Sequence, residues 1–246
     1  MIGIMSAMQE EIQALINQLE NKESYRKGKR AYHTGTLFGM EVALVFSRWG
    51  KVASATTATQ LINDFNLDEL IFTGVAGAIT PNLNIGDIVI GNQLVQYDMN
   101  AHPLFDTFEI PLLGKTFFDT NKENRDKLYN GSQLFLEHYN DIISDDLAEK
   151  INITKPKSIL GDIASADQFV HQASQVQFII DNLNSVACVE MEGAAVAQVC
   201  YEYNIPFSIM RIISDNANDN AHIDFPFFAK EIASKYALEV LRNYFQ

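Results

Sequence analysis

Short runs that are apolar at nearly every position recur along the chain, and they constrain its fold more than any other feature. A strand with one face in solvent alternates apolar and polar side chains, whereas a strand covered on both faces is apolar throughout. These runs therefore predict strands that are buried on both sides. They are residues 2–5, 42–46, 70–78, 87–91, 185–190 and 207–214.

Helical patterns separate several of these runs. Residues 51–65 and 193–203 are predicted helices, and residues 227–244 repeat apolar side chains at helical spacing. Strands that alternate with helices predict a three-layer α/β domain, with a central sheet flanked by helices. The apolar stripe of the last helix consists of Phe228, Ile232, Tyr236, Leu238, Val240 and Leu241.

Residues 104–158 interrupt this alternation, because they are more polar and more charged than the rest of the chain. Their polarity leaves too few apolar side chains for an independent core. We therefore predict a helix within a long excursion from a single domain that spans residues 1–246, and not a second domain.

Composition excludes several classes of function. The formal net charge is −13 and the isoelectric point is about 4.7, which argues against binding to a nucleic-acid backbone. No apolar run is long enough to cross a bilayer, and the N-terminus lacks the basic region of a signal peptide. The two cysteines, Cys188 and Cys200, lie in apolar surroundings and predict buried thiols in a reducing cytoplasm. No Cys/His spacing indicates zinc, so we expect no metal.

A first helix follows the run at 2–5. Ser6 and Gln9 have the spacing of a capping box, which predicts that the helix begins there. On a helical wheel Glu10 faces solvent, whereas Glu11 falls at the edge of the buried stripe and could face a cleft. Alternatively, both glutamates belong to an ordinary acidic first turn that the helix dipole favours. The predicted stripe consists of Met8, Ile12, Leu15 and Leu19.

The apolar run at 207–214 contains Arg211 and leads into Asp215. In α/β sheets ligands bind beyond the carboxyl ends of strands, so Asp215 is placed where a ligand would meet a side chain. It could equally be a turn or helix-capping residue. Arg211 is predicted to be buried, and a buried arginine requires a partner, for which a nearby carboxylate is the natural choice.

Two more carboxylates, Glu190 and Glu192, lie at the junction between the run at 185–190 and the helix at 193–203. One of them could pair with Arg211. Taken singly, each is more often structural. Several carboxylates at strand ends and helix starts of one sheet, however, favour a site that accepts hydrogen bonds from ligand hydroxyls. The small residues at 73–78 would let a ligand approach the backbone, but their spacing is not that of a dinucleotide fingerprint, which argues against NAD.

Six ordered motifs together resemble the 5′-methylthioadenosine/S-adenosylhomocysteine nucleosidases of the purine nucleoside phosphorylase/uridine phosphorylase superfamily. The resemblance covers about residues 1–103 and 160–246. It implies an α/β domain around a mixed twisted β-sheet, a homodimer, and hydrolysis of a nucleoside without a metal or cofactor. The motifs are GIMSAMQEE (3–11), SRWGKVASA (47–55), TGVAGA (73–78), IGDIVIG (85–91), VEMEGAAVA (189–197) and RIISDNA (211–217).

The resemblance implies three catalytic roles. Glu11 would be the general base that activates water, and Asp215 the general acid that protonates N7 of adenine. Glu192 would accept hydrogen bonds from the ribose hydroxyls. Cleavage of an N-ribosyl bond leaves positive charge on the sugar and negative charge on the purine, so an acid, a base and a negatively charged pocket suit this chemistry.

It also implies a set of substrate contacts. Met191 would pack on the sugar, Phe169 and Val170 would frame the purine, and Phe225 would lie beside the substrate. Ser214 would orient the catalytic acid. Arg211 and Glu190 would support the site, and the remaining contacts would come from Met8, Val75, Ala76 and Gly77.

This sequence departs from the family pattern at several positions. Val75 stands where a serine is frequent, and Ala166 replaces a glycine. Leu104 or Phe105 is the candidate for an apolar residue that the family takes from a neighbouring subunit.

Three alternative functions remain open. A phosphorylase would need arginines for phosphate, but Thr73 stands at one such position and only Arg48 could replace it. A hydrolase of futalosine-type nucleosides would use the same carboxylates. A non-catalytic nucleoside-binding protein would be expected to lack one of them.

Overall fold

A computed structural model describes residues 1–215 and 225–246, with side chains from Phe227 onward in the second segment. Its strands are β1 (Ile2–Ser6), β2 (Glu20–Lys27), β3 (Arg30–Leu37), β4 (Met40–Phe46), β5 (Glu69–Ala78), β6 (Ile88–Gln96), β7 (Phe117–Asp119), β8 (Ser158–Ser165), β9 (Val186–Glu190) and β10 (Phe207–Asp215). The helices are α1 (Gln9–Asn17), α2 (Lys51–Phe65), α3 (Lys122–Glu137), α4 (Tyr139–Ile142), α5 (Asp145–Lys150), α6 (Ala173–Asn182), α7 (Gly193–Tyr203), α8 (Phe225–Phe228) and α9 (Ser234–Tyr244), with a π-helical segment at Ala229–Ala233.

All ten of these strands form one mixed sheet in the order β10-β6-β8-β9-β5-β1-β4-β3-β2, and β7 pairs with β6 at Gln93–Val95, beyond the stretch of β6 that pairs with β10. β5 also pairs with β10, so β5, β10, β6, β8 and β9 close on themselves. The β1–β4, β1–β5, β5–β10, β6–β8 and β8–β9 pairs are parallel. The β5–β9, β6–β10, β6–β7, β2–β3 and β3–β4 pairs are antiparallel.

The six apolar runs all form strands, and β1, β9 and β10 are buried at every residue. Alternate residues of β1 enter different cores: Met5 packs with α2 and α7, whereas Ile4 packs with α1, α3 and α9. The sheet is therefore covered by helices on both faces, which confirms the predicted α/β class with a central mixed sheet. Closure of five strands into a barrel was not predicted.

The predicted helices at 51–65 and 193–203 match α2 and α7. The C-terminal stripe is buried in the same core as α1, apart from the half-buried Leu238. The polar excursion contains β7 and three helices, of which α3 packs against α9. Their approach is close at Gly131, where a Cβ atom would lie 2.9 Å from the Val240 carbonyl oxygen. Within the described residues, no helix has both the length and the apolarity to span a bilayer.

Candidate active site

A cleft of about 660 Å³ opens at the carboxyl ends of β1, β5, β9 and β10. Thirteen predicted site residues line it: Met8, Glu11, Val75, Ala76, Gly77, Phe169, Val170, Glu190, Met191, Glu192, Arg211, Ser214 and Asp215. The side chain of the fourteenth, Phe225, lies outside the described residues. Residues far apart in the sequence meet here because the strands that precede them are neighbours in the sheet.

Glu11 is buried in the first turn of α1, although a carboxylate in water would be better solvated. Its side chain accepts hydrogen bonds from the backbone N–H groups of Ala7 and Met8, both at 2.9 Å, and of Val75 at 3.1 Å. Burial raises the pKa of Glu11, and the positive charge of Arg211 and these N–H groups oppose that rise. Glu11 is therefore a positioned carboxyl group with a raised proton affinity.

The predicted capping box at Ser6 is wrong. Ser6 ends β1 and its hydroxyl lies 2.9 Å from that of Thr73, while the helix begins at Gln9 after Met8. Glu11 makes one of the two hydrogen bonds of a capping box, because its side chain accepts from the backbone N–H of Met8, the residue before the helix. Its neighbour Glu10 is half-buried and not fully solvated as predicted, and it does not line the cleft.

Glu190 is the carboxylate partner of Arg211, at 2.7 Å between Oε2 and Nη2. It also accepts from the Ser165 hydroxyl and from the backbone N–H groups of Glu192 and Gly193 at 3.1 and 2.8 Å. The Arg211 guanidinium lies over the Phe72 ring, 4.2 Å from its centroid. The hydrogen-bonding capacity of Glu190 is thus used within the protein.

Glu192 has a different environment. One of its oxygens accepts from the backbone N–H of Gly50 at 2.8 Å. Burial, followed by repulsion from Glu190, raises the pKa of Glu192 to about 8. The Gly50 hydrogen bond and the charge of Arg211 act in the opposite direction.

Asp215 is buried at the end of β10, where Ser214 donates a hydrogen bond from Oγ to its Oδ2 at 2.9 Å. The same hydroxyl lies 3.4 Å from the Ala76 carbonyl oxygen. Ser214 can therefore hold the Asp215 carboxyl in one orientation. Across the described part of the cleft, buried carboxyl groups approach one space from α1, β10 and the β9–α7 junction.

The candidate phosphate residues lie elsewhere. Arg48 is exposed, donates to the Lys29 carbonyl oxygen at 2.6 Å, and does not line the cleft. Thr73 is buried against Ser6. Among the described lining residues Arg211 is the one basic side chain, and Glu190 already pairs with it. Over residues 1–215 and 225–246, no group of three or more His, Cys, Asp and Glu side chains is arranged to hold a metal ion.

The sequence analysis missed five lining residues: Ala7, Trp49, Gly74, Gln168 and Val189. Trp49 is an exposed apolar side chain, and the next residue, Gly50, has a φ of 94°. A tryptophan followed by a glycine between a strand and a helix could have indicated a loop at a binding site. The role of Ser165 could not be read from the sequence, because its bond to Glu190 joins residues 25 positions apart.

The fold and the cleft define a class of α/β protein in which a mixed, partly closed sheet presents buried carboxyl groups to a small-molecule site. The chain belongs to the phosphorylase superfamily, whose family model matches residues 1–245.

Relatives within this superfamily carry more specific names. The chain is 36% identical over 222 residues to a 5′-methylthioadenosine/S-adenosylhomocysteine nucleosidase from Maridesulfovibrio salexigens, covering 89% of this chain and 87% of that protein. It is 31% identical over 239 residues to an aminodeoxyfutalosine nucleosidase from Helicobacter pylori, covering 96% and 94%. A structure of the Streptococcus pneumoniae methylthioadenosine/S-adenosylhomocysteine nucleosidase with a transition-state inhibitor superposes with a TM-score of 0.83 at 31% identity, covering 99% of this chain and 97% of that one.

Proposed function

We propose that this protein hydrolyses the N-glycosidic bond of 5′-methylthioadenosine and S-adenosylhomocysteine, releasing adenine and the 5′-thioribose product. The observation that carries the proposal is the convergence of Glu11, Glu192 and Asp215 on one cleft. These carboxyl groups sit in different environments, so they can take different roles in one reaction. The names of the nucleosidase relatives support the same substrate class.

Asp215 is the general acid. Cleavage of the bond between ribose and adenine leaves electron density on the purine, and protonation at N7 makes adenine a better leaving group. Ser214 supports this assignment, because its hydroxyl holds one Asp215 oxygen and so aims the other. Phe169 and Val170, on the loop after β8, frame the purine.

Glu11 is the general base that takes a proton from the attacking water. A base works best when its pKa lies near the working pH, and burial raises the pKa of Glu11 in that direction. Glu192 accepts hydrogen bonds from the ribose hydroxyls, and Met191 packs on the sugar. Glu11 is ionised before it takes its proton, and its negative charge stabilises the positive charge that develops on the ribose in the transition state.

The supporting residues shape the site. The ion pair between Arg211 and Glu190 fixes the end of β9, from which Glu192 projects. Met8, Val75, Ala76, Gly77 and Phe225 complete the substrate contacts.

Water is the nucleophile, and phosphate is not. A phosphate ion entering the cleft would meet four carboxyl groups and one arginine, which is already paired with Glu190. The ionised carboxylate of Glu11 would repel phosphate strongly in a poorly solvated site. The cleft thus favours hydrolysis over phosphorolysis.

The test is adenine release from each nucleoside in phosphate-free buffer and again with phosphate added. We expect release from both substrates at a rate that phosphate does not change. Release that requires phosphate would show a phosphorylase instead. No release from either nucleoside would reject both methylthioadenosine and S-adenosylhomocysteine as substrates.

Aminodeoxyfutalosine is the second candidate substrate, because the Helicobacter pylori relative named for it is 31% identical over most of this chain. A futalosine-type nucleoside needs the same acid, base and ribose carboxylate. Its kcat/KM should be measured beside that of methylthioadenosine. A higher value for the futalosine nucleoside would reassign the physiological substrate and leave the catalytic residues unchanged.

The wider context is part of the proposal. The chain forms a single nucleosidase domain, acts in the cytoplasm in methionine salvage, and assembles as a homodimer. Leu104, which is 82% exposed, is a candidate to contact the neighbouring subunit. Light scattering at working concentration checks the dimer, and a monomeric, fully active protein would reject it.

A further inference from the structure

Three residues outside the cleft form a connected cluster at its rim. Lys51 begins α2, Asp98 follows β6, and Asp167 follows β8. The Lys51 backbone N–H donates to Asp167 Oδ1 at 2.7 Å, and the Asp167 backbone N–H donates to Asp98 Oδ2 at 3.1 Å. The Lys51 ammonium closes the ring on Asp98 Oδ1 at 2.5 Å. None of the three lines the cleft.

The ring joins the two halves of the proposed substrate site. Asp167 directly precedes Gln168, Phe169 and Val170, which line the cleft on the purine side. Gly50 directly precedes Lys51, and its N–H donates to Glu192, the proposed ribose carboxylate. The N–H groups of Gly50, just before α2, and of Lys51, its first residue, thus each bind a carboxylate from a different half.

We propose that Lys51, Asp98 and Asp167 are positioning residues that set the separation between the purine-binding loop and the ribose carboxylate Glu192. This inference rests on the proposed nucleosidase function and concerns the same site. The free N–H groups at a helix N-terminus need acceptors, and here the acceptors come from the loop and the carboxylate that a nucleoside must bridge.

The partial burial of the ion pair makes it suited to this role. The Lys51 and Asp98 side chains are 15% and 18% exposed, and the Lys51 ammonium also lies 3.2 Å from Gln96 Oε1. Asp167 itself is exposed, so these directed hydrogen bonds fix its position, while the buried Ala166 and Val170 anchor the two ends of the loop. The Lys51 ammonium fixes the orientation of the Asp98 carboxylate, which accepts from the Asp167 N–H. Without the ion pair this hydrogen bond would lose its fixed acceptor.

Gly50 is required by the same geometry. Its φ of 94° lies in the left-handed region, which favours glycine. A Cβ atom at this position would lie 2.9 Å from Asp167 Oδ1. Glycine therefore lets the purine loop and α2 approach closely enough to bond.

The test compares a ligand that spans both halves with one that occupies a single half. Affinities for adenine and for a nonhydrolysable methylthioadenosine analogue are measured by calorimetry on the wild type and on Lys51→Met. If the distance between the purine-binding loop and Glu192 is no longer fixed, the affinity for the analogue falls more than the affinity for adenine. The analogue must contact both the loop and Glu192 at once, whereas adenine contacts only the loop. We expect about a tenfold or larger loss for the analogue and less than about a threefold loss for adenine.

Two further variants and a control sharpen this test. Lys51→Arg should recover most of the analogue affinity, because it restores the cation. The double variant Lys51→Met with Asp98→Asn avoids an unpaired charge, and it gives the same comparison if the single variant fails to fold. Lys27→Met removes a more exposed lysine–aspartate contact, at 2.7 Å between the edge strand β2 and Asp64 near the C-terminal end of α2, and should change neither affinity.

Equal losses for the two ligands, or no loss for either, would overturn the positioning role while leaving the proposed function intact. Equal effects of Lys27→Met and Lys51→Met would overturn it as well. A wild-type protein that binds neither ligand would reject the proposed function and the positioning role together.

Discussion

Glu190 and Glu192 are two residues apart and both are buried, yet the structure places them in opposite situations. Glu190 is neutralised by Arg211 and accepts further hydrogen bonds from the protein. Glu192 lines the same cleft, but it accepts from the backbone N–H of Gly50 and has its pKa raised to about 8. The charged and hydrogen-bonding partners of each glutamate, and not its position along the chain, decide its role. Glu190 is bonded to the protein and holds the site together, whereas Glu192 can bind a ligand.

The same distinction extends to Glu11 and Asp215, which also face the cleft. If this distinction is correct, substitutions at Glu11, Glu192 and Asp215 should reduce turnover without preventing folding. Changes at Glu190 should reduce stability.

The largest effect is expected for Asp215→Asn, which removes the proposed proton donor while keeping the shape of the side chain. We expect kcat to fall by up to about 10⁴-fold, since general acid catalysis contributes about 10²–10⁴-fold. Adenine release and a thermal melt are the measurements. Asp119→Asn, at the exposed end of β7, is the matched control and should be fully active. Appreciable turnover in Asp215→Asn would remove Asp215 from the acid role.

Glu11→Gln should reduce kcat by about 10³-fold, because an amide cannot take a proton from water. Glu10→Gln is the control, since Glu10 is the neighbouring glutamate and does not line the cleft. The two variants should melt within a few degrees of each other. Full activity of Glu11→Gln would mean that another group is the base.

Glu190→Gln tests the other side of the contrast, because it leaves Arg211 buried without a counter-charge. Removing one member of a buried ion pair costs about 3–5 kcal/mol, which we expect as a loss in the unfolding free energy measured with denaturant. Glu239→Gln breaks the partly exposed pair with Arg242 and should cost less than about 1 kcal/mol. Similar losses in the two variants would contradict a supporting role for Glu190.

The pH dependence of stability should reveal Glu192. Its folded-state pKa of about 8 lies above the ordinary value of 4.5, so between these values the folded protein holds a proton that the unfolded chain has released. This contribution to stability is complete below pH 4.5 and is lost as pH rises through about 8. Denaturant unfolding of Glu192→Gln across this range should show a flatter pH dependence than the wild type. Identical slopes would place the pKa of Glu192 near its ordinary value.

The smallest expected effect is a change in the fluorescence of Trp49 on ligand binding. Trp49 is the single tryptophan of the chain and lines the cleft. Its emission should change when adenine or a nucleoside analogue binds, because the ligand alters the polarity and contacts of the indole. Trp49→Phe supplies the baseline. Unchanged wild-type emission at ligand saturation, confirmed by calorimetry, would place Trp49 away from the bound ligand.

Much of the sheet could be predicted because burial leaves a pattern in the sequence. The apolar runs identified β1, β4, β5, β6, β9 and β10, and the helices α2 and α7 were predicted with their observed bounds. β2 was missed because all eight of its residues are exposed, so no hydrophobic pattern marks it. β8 was missed because Gly161 and Asp162 interrupt its apolar residues, so it lacks the continuous apolar run that marks the other buried strands.

The sequence by itself determined the fold class and the types of side chain in the site, since strand burial and local polarity are written into short segments. Only the tertiary structure decided which carboxylate pairs with Arg211, because Ser165, Glu190 and Arg211 come from three separate strands. It alone brought the N–H groups of Gly50 and Lys51 to Glu192 and Asp167, which lie 142 and 116 residues away. Contacts at such separations depend on strand order and barrel closure, which no local pattern encodes.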